Sequence, residues 1–168
     1  MIDCLFPRRR TRFDKNFKPL RTIGGPGTGD GKFQTCHGMW INRLKGGEPE
    51  VFFADRQNGR LQVFDLELNH KRNLTGVARN PCCFREHKGF LYIPDLASRV
   101  TILDADDNLA AQLGDGKETD GKTNRPDSQT NPALFAAPHA LSVDSKGDFC
   151  VVEWIPAGRP CKFKHVPA

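Results

Sequence analysis

Apolar and polar residues alternate along this 168-residue chain in short bursts, and the bursts recur. Val51-Phe52-Phe53-Ala54-Asp55 is followed by Arg60-Leu61-Gln62-Val63-Phe64-Asp65. Phe90-Leu91-Tyr92-Ile93-Pro94-Asp95 is followed by Arg99-Val100-Thr101-Ile102-Leu103-Asp104, and Phe149-Cys150-Val151-Val152-Glu153 by Cys161-Lys162-Phe163. Successive side chains on a strand face opposite sides, so such runs between Gly, Asn and Asp clusters read as β-strands. No segment sustains the spacing of an amphipathic helix. Each set also has a leading strand: Cys36-His37-Gly38-Met39-Trp40-Ile41, Pro81-Cys82-Cys83-Phe84 and Pro138-His139-Ala140-Leu141-Ser142-Val143.

Taking His37, Cys83 and His139 as equivalent gives periods of 46 (83 − 37) and 56 (139 − 83) residues. A repeat of roughly 40–50 residues built from short strands is the pattern of a β-propeller. The expected fold is therefore all-β: an incomplete propeller ring of about three four-stranded blades plus a terminal strand. The blades fall at about 33–75, 77–114 and 135–166, the last without its outermost strand. In the first, strands are expected near 37–42, 51–55, 60–65 and 70–75. Residues 1–12 read as an irregular basic segment and 13–168 as the partial propeller. Within the latter, Phe13 to Ile23 reads as strand, turn and outer strand, and the polar stretch 115–131 as a long loop. Six such blades need about 250 residues or more. The chain is thus expected to be part of a ring, completed by a longer chain or by a second copy.

Composition changes this picture little. The 16 glycines and 12 prolines suit many turns. No apolar run approaches a membrane span. The stretch from Met1 to Phe6 is too short for a signal peptide, and basic residues follow it rather than precede it. An extracellular or periplasmic setting stays open for a longer parent. The net charge of +5 draws visibly on Arg8, Arg9, Arg10 and Arg12. Clustered arginines can neutralise phosphates, but a solvated terminal edge is the expected reading, and nucleic acid is not the expected partner. A peptide or small molecule on the propeller face is.

Equivalent positions in successive blades converge on one axis, which gives the histidines their interest. His37, Cys83 and His139 hold equivalent first-strand positions, and imidazole and thiolate are preferred zinc ligands. The competing reading makes them channel-lining polar groups bonded to water or backbone. A one-residue change of register would turn Cys82 inward in place of Cys83. Arg56 is placed to orient a carboxylate substrate through paired hydrogen bonds, or else to pair with an acid such as Asp95. Asp55, Asp95 and Glu153 recur at the end of each second strand, which favours a structural role. Trp40 and Trp154 are expected to pack between blades. His70, His87 and His165 fall near turns or outer strands, so surface is their expected place. The six cysteines form no C-x-x-C pair. Cys150 and Cys161 lie on consecutive strands, either opposed closely enough for a disulfide or as two reduced buried thiols.

Gly24-Gly25-Pro26-Gly27, Phe33-Gln34-Thr35-Cys36-His37-Gly38 and Ala54-Asp55-Arg56-Gln57-Asn58-Gly59-Arg60-Leu61-Gln62-Val63-Phe64-Asp65 together resemble NHL-repeat propellers, which are six-bladed in this group. The likeness runs over roughly residues 13–166 and is greatest to the peptidyl-α-hydroxyglycine α-amidating lyase branch. It implies a zinc ion held on the axis by three histidines from different blades, two of them matching His37 and His139. Arg56 matches the active-site arginine of that family. The implied chemistry is zinc polarisation of the substrate hydroxyl with a tyrosine base, releasing glyoxylate and a peptide amide. Three features depart from the pattern. The third histidine and the catalytic tyrosine would precede residue 1, Tyr92 does not match the latter, and Ala140 replaces a calcium-binding aspartate. The last weakens the case for structural calcium. The expected role is therefore a binding or scaffold propeller segment related to these lyases. A zinc-dependent lyase completed by further residues is the alternative, and an RNA-binding propeller a third.

Overall fold

The computed structural model describes residues 8–114, 134–156 and 158–166. The chain divides into two compact units, Met1–Pro81 and Cys82–Ala168.

The first unit holds two antiparallel sheets. Strands β1 (Arg9–Phe13) and β2 (Pro19–Gly24) form a two-stranded ribbon. Strands β3 (Cys36–Asn42), β4 (Glu50–Asp55), β5 (Arg60–Phe64) and β6 (His70–Thr75) form a four-stranded meander in sequence order. Every residue of β4 and β5 is buried. In β4 this follows from a near-continuous apolar run, which a sheet solvated on one face would not carry; in β5 Arg60 and Gln62 are buried against the Asp55 carboxylate. Phe33, Phe53 and Phe64 pack there, with Phe53 edge-on to both others at centroid separations of 5.7 and 5.3 Å.

The second unit holds a four-stranded meander, β7 (Arg85–His87), β8 (Phe90–Asp95), β9 (Arg99–Leu103) and β10 (Leu109–Leu113). A three-stranded one follows: β11 (Pro138–Val143), β12 (Phe149–Glu153) and β13 (Cys161–Phe163). Val100, Phe135, Leu141, Phe149 and Val151 form a core in this unit. Along β12 burial alternates, leaving Cys150 and Val152 exposed.

Four loops share one construction. Asp14, Asp65, Asp104 and Asp144 each exchange backbone hydrogen bonds across a five-residue loop, with the fourth residue donating back to the aspartate carbonyl. That fourth residue is left-handed in every case: Phe17 (φ 61°), Leu68 (φ 64°), Asp107 (φ 67°) and Gly147 (φ 96°). In each the aspartate carboxylate also accepts from the backbone N–H of the fifth residue. This side-chain mimicry of a turn explains why aspartate opens all four loops and offsets the cost of non-glycine residues at positive φ.

Several expectations are refined. The third sheet has three strands among the described residues. The N-terminal piece is a ribbon of two strands, and the first of them, Arg9–Phe13, reaches back into the segment read as irregular. The long loop expected at 115–131 lies outside the described residues, as do residues 1–7. On the β12–β13 pair Cys150 faces Lys162 while Cys161 faces Val151. The two cysteines are offset by one residue and point to opposite faces. Cys161 is buried and Cys150 exposed, both as free thiols.

Candidate metal centre

His37 and His139 sit in corresponding places of their own sheets, and the correspondence is detailed. On β3 the register with β4 shifts between Cys36 and Met39; on β11 the register with β12 shifts between Pro138 and Ala140. Each histidine therefore lies in a β-bulge, a device that bends a strand and re-aims a side chain. Two residues before each histidine, a carbonyl accepts from the next corner of the sheet: Arg56 N–H to Thr35 O and Trp154 N–H to Ala137 O, both 2.8 Å. Three residues before each, a backbone N–H reaches the acid ending the second strand, Gln34 to Asp55 at 3.1 Å and Ala136 to Glu153 at 2.5 Å. Both histidines are half-buried.

In the second unit the Cys82 Sγ and a ring nitrogen of His139 lie within 4.8 Å of each other. Two ligands of one tetrahedral zinc stand roughly 3.5 Å apart, given bonds of about 2.0–2.3 Å. A small closing movement would let the pair share an ion, and the donor types suit zinc. Cys82 is fully buried, and its backbone N–H is held by Pro94 O at 3.0 Å. The Trp154 indole stacks on the His139 ring, with centroids 5.1 Å apart and planes at 27°. That stack fixes the imidazole plane while leaving Trp154 68% exposed. Trp154 therefore covers a histidine in its own unit, in place of the packing between blades expected for it.

Cys83 occupies a different setting. Burial pushes its thiol up, against the opposing effects of the Leu141 backbone amide and the Arg85 charge. A thiol held protonated is a poorer ligand than a thiolate. Strand β7 starts only at Arg85, so an alternation counted through Pro81-Cys82-Cys83-Phe84 does not decide which cysteine turns toward His139.

The recurring acids are structural. Asp55 Oδ2 accepts from Asn58 (2.8 Å), Arg60 (2.8 Å) and Gln62 (3.0 Å). Asn58, Arg60 and Gln62 of the Asp-Arg-x-Asn-x-Arg-x-Gln pattern thus fasten the β4–β5 corner. Asp95 receives the Ala97 N–H at 2.8 Å and faces Arg99 Nε at 3.4 Å. Arg56 begins the 3-10 turn Arg56–Asn58, and among the described residues no side-chain hydrogen bond or ion pair engages its guanidinium.

The basic run is less available than its sequence suggests. Arg10 is buried, donating from Nε to Cys36 Sγ at 3.0 Å and from a terminal nitrogen to Cys36 O. Arg12 pairs with Glu67. Arg8 and Arg9 remain exposed.

No family model matches the chain, and no curated protein matches it in sequence. Solved structures do resemble it. Hydrazine synthase of Kuenenia stuttgartiensis aligns with a TM-score of 0.59 at 8% identity, over 87% of this chain and 36% of that one. Virginiamycin B lyase from Staphylococcus aureus aligns at 0.56 and 9% identity, over 94% and 49%. U3-55K aligns at 0.61 and 15% identity, over 96% and 47%. These are β-propeller-type folds. At such identities the likeness is one of fold, and the chain spans less than half the length of each. The fold is all-β, of β-propeller type, and an incomplete one. Among the described residues no helix is long and apolar enough to cross a membrane.

Proposed function

We propose that this chain is a binding segment of a β-propeller and that Cys82 and His139 hold a transition-metal ion, with zinc the best match to the donors. The observation that carries the reading is the paired setting of the histidines. Each lies in a bulge of a first strand, and one of them has a buried thiol sulfur within 4.8 Å. His37 holds the corresponding place in its own sheet. Bound zinc would supply Lewis acidity to a water or ligand oxygen at a coordination position the protein leaves open.

Arg56 gives the site a preference. Its backbone is tied to Thr35, two residues before His37, while no described residue occupies its guanidinium. A planar cation that no described side chain engages suits a ligand that carries a carboxylate. This favours, as a second reading, a metal-dependent lyase acting on peptides ending in α-hydroxyglycine, in line with the sequence resemblance. In that reading Arg56 binds and orients the terminal carboxylate. Tyr92, the one tyrosine of the chain, lies on β8 and is not assigned as the base. Groups outside these residues would complete the chemistry.

The deciding experiment is metal content of the folded protein after zinc exposure and dialysis, beside His37→Ala, Cys82→Ser and His139→Ala. Near-stoichiometric zinc, lost in Cys82→Ser and His139→Ala and kept in Cys83→Ser, supports the site. Absence of zinc from folded wild-type protein overturns it and leaves a propeller scaffold. Release of glyoxylate from hydroxyglycine-ended peptides by zinc-loaded protein, reduced in Arg56→Gln, would carry the lyase reading.

A further inference from the structure

The tips of two hairpins in the second unit and the segment after β13 enclose a pocket of about 120 Å³. Its wall carries His87, Lys88, Tyr92, Lys146 and His165, with Phe90 at the side and, among the described residues, no carboxylate. None of the proposed metal ligands lines it.

Local structure explains how these groups gather. Lys88 and Gly89 form the β7–β8 turn with φ of 47° and 85°, the two left-handed residues of a tight hairpin turn. Lysine is an uncommon choice at such a position, where Asn or Gly is favoured. Lys146 and Gly147 belong to the Asp144 loop, whose carboxylate holds the Lys146 N–H at 2.9 Å. Gly147 keeps the space open: a side chain there would begin 3.4 Å from His87 Nε2 and 3.3 Å from His165 Cγ.

His87 Nε2 is shielded from solvent and has no hydrogen-bond partner among the described residues. A buried donor without an acceptor is costly, and an unmatched one in a small cavity marks a place for a ligand atom. Among the described residues neither Lys88 nor Lys146 has an ion pair. Asp148, beside Gly147, is engaged by the His165 N–H at 3.0 Å and by Lys162. Desolvation pushes the Tyr92 phenol up, so it stays protonated and able to donate. The larger cavity of the first unit, about 520 Å³, differs in this respect. Its Arg21 and Lys32 already donate to protein oxygens, and Asp30 stands in its wall.

We propose that the pocket formed by His87, Lys88, Tyr92, Lys146 and His165 binds a small oxyanion, a phosphate or carboxylate group, either free or terminating a larger ligand. The reasons are an unmatched nitrogen, two unpaired ammonium groups, no acid in the wall, and room for one compact group. Drug-sized ligands need several times this volume.

The test is titration of the full chain with inorganic phosphate, and separately with acetate, at constant ionic strength. The readout is the imidazole ¹H and ¹⁵N resonances. Saturable shifts confined to His87 and His165, with His70 unmoved, are expected; the anion that saturates tells phosphate from carboxylate chemistry. Lys88→Gln and Lys146→Gln, both at exposed side chains, should each weaken binding about tenfold through loss of a charge-assisted bond. His87→Phe, which fills the space, should abolish it. The proposal is overturned by absence of saturation with either anion, by equal shifts at all histidines, or by unchanged affinity in the double lysine variant. Saturation by zinc in place of an anion also overturns it.

Discussion

At the end of β4, Asp55 accepts four hydrogen bonds, from the Gln34 backbone and from the side chains of Asn58, Arg60 and Gln62. At the end of β12, Glu153 accepts two, both from backbone, at Ala136 and Arg159. The corners are otherwise alike, down to the 2.8 Å bond that follows each acid. In the first, buried side chains must be satisfied as a group. Arg60 and Gln62 have gone into the interior with the strand that carries them, and one carboxylate answers both. In the second the acid ties down only main chain, and the next residue, Trp154, is free to lie over His139. The same repeat thus serves as a side-chain fastening in one unit and as a main-chain tie beside the stacked His139 and Trp154 in the other.

The sharpest way to break this comparison is to remove each acid. Asp55→Ala leaves Arg60 and Gln62 without their shared acceptor and should cost about 3–5 kcal/mol, the range for breaking a buried ion pair. Glu153→Ala should cost about 1–2 kcal/mol, as for lost bonds to backbone donors. Urea unfolding of both variants decides, and equal losses would erase the distinction. A similar contrast holds for packing. Phe53→Ala, between Phe33 and Phe64, should cost about 3–5 kcal/mol, whereas Val152→Thr on the solvent side of β12 should stay within about 0.5 kcal/mol.

Acid should also separate the regions. Hydrogen bonds from Arg72 chiefly, with Lys71 beside it, hold the Glu50 carboxyl at about 2, below its ordinary 4.5. A depressed carboxyl contributes stability in full above its unfolded value and loses it as pH falls through the folded one. Wild-type protein should therefore lose stability between about pH 5 and pH 2, and Glu50→Gln should flatten that limb, as read by thermal melts across the range. The smallest effect is expected at the thiols. Cys150→Ser should leave stability within about 0.5 kcal/mol and remove a fast-labelling thiol. Cys161 should label only on unfolding.

The β3–β6 sheet was legible to within a residue because its strands are long, apolar and set off by Gly and Asp. The acids at the strand ends were legible as structural because they recur, and the structure supplies their partners. Strand β1 was not legible: Arg-Arg-Thr-Arg-Phe has no apolar alternation, and its one buried side chain is an arginine satisfied by Cys36. The bulges at His37 and His139 leave no mark in sequence, since an extra residue looks like any other. Without a bulge or a firm β7 the choice between Cys82 and Cys83 rested on counting, and an error of one residue turns a side chain to the other face. His165 is exposed as expected, whereas His87, also assigned to the surface, is half-buried, because nothing in its neighbours announces the two hairpin tips that meet at it. The shared five-residue loops carried a usable signal, an aspartate opening each one, but it was dispersed among unlike sequences.

The placement of Arg10 has a consequence for how this molecule meets others in solution. Long-range attraction depends on the field that reaches water, and a charge enclosed by protein and facing a thiol adds little to it, as does one neutralised at Glu67. A polyanion diffusing toward β1 meets Arg8 and Arg9, half the cluster the sequence displays. Encounter with nucleic acid at that edge should therefore be slower and less sensitive to salt than four adjacent arginines imply.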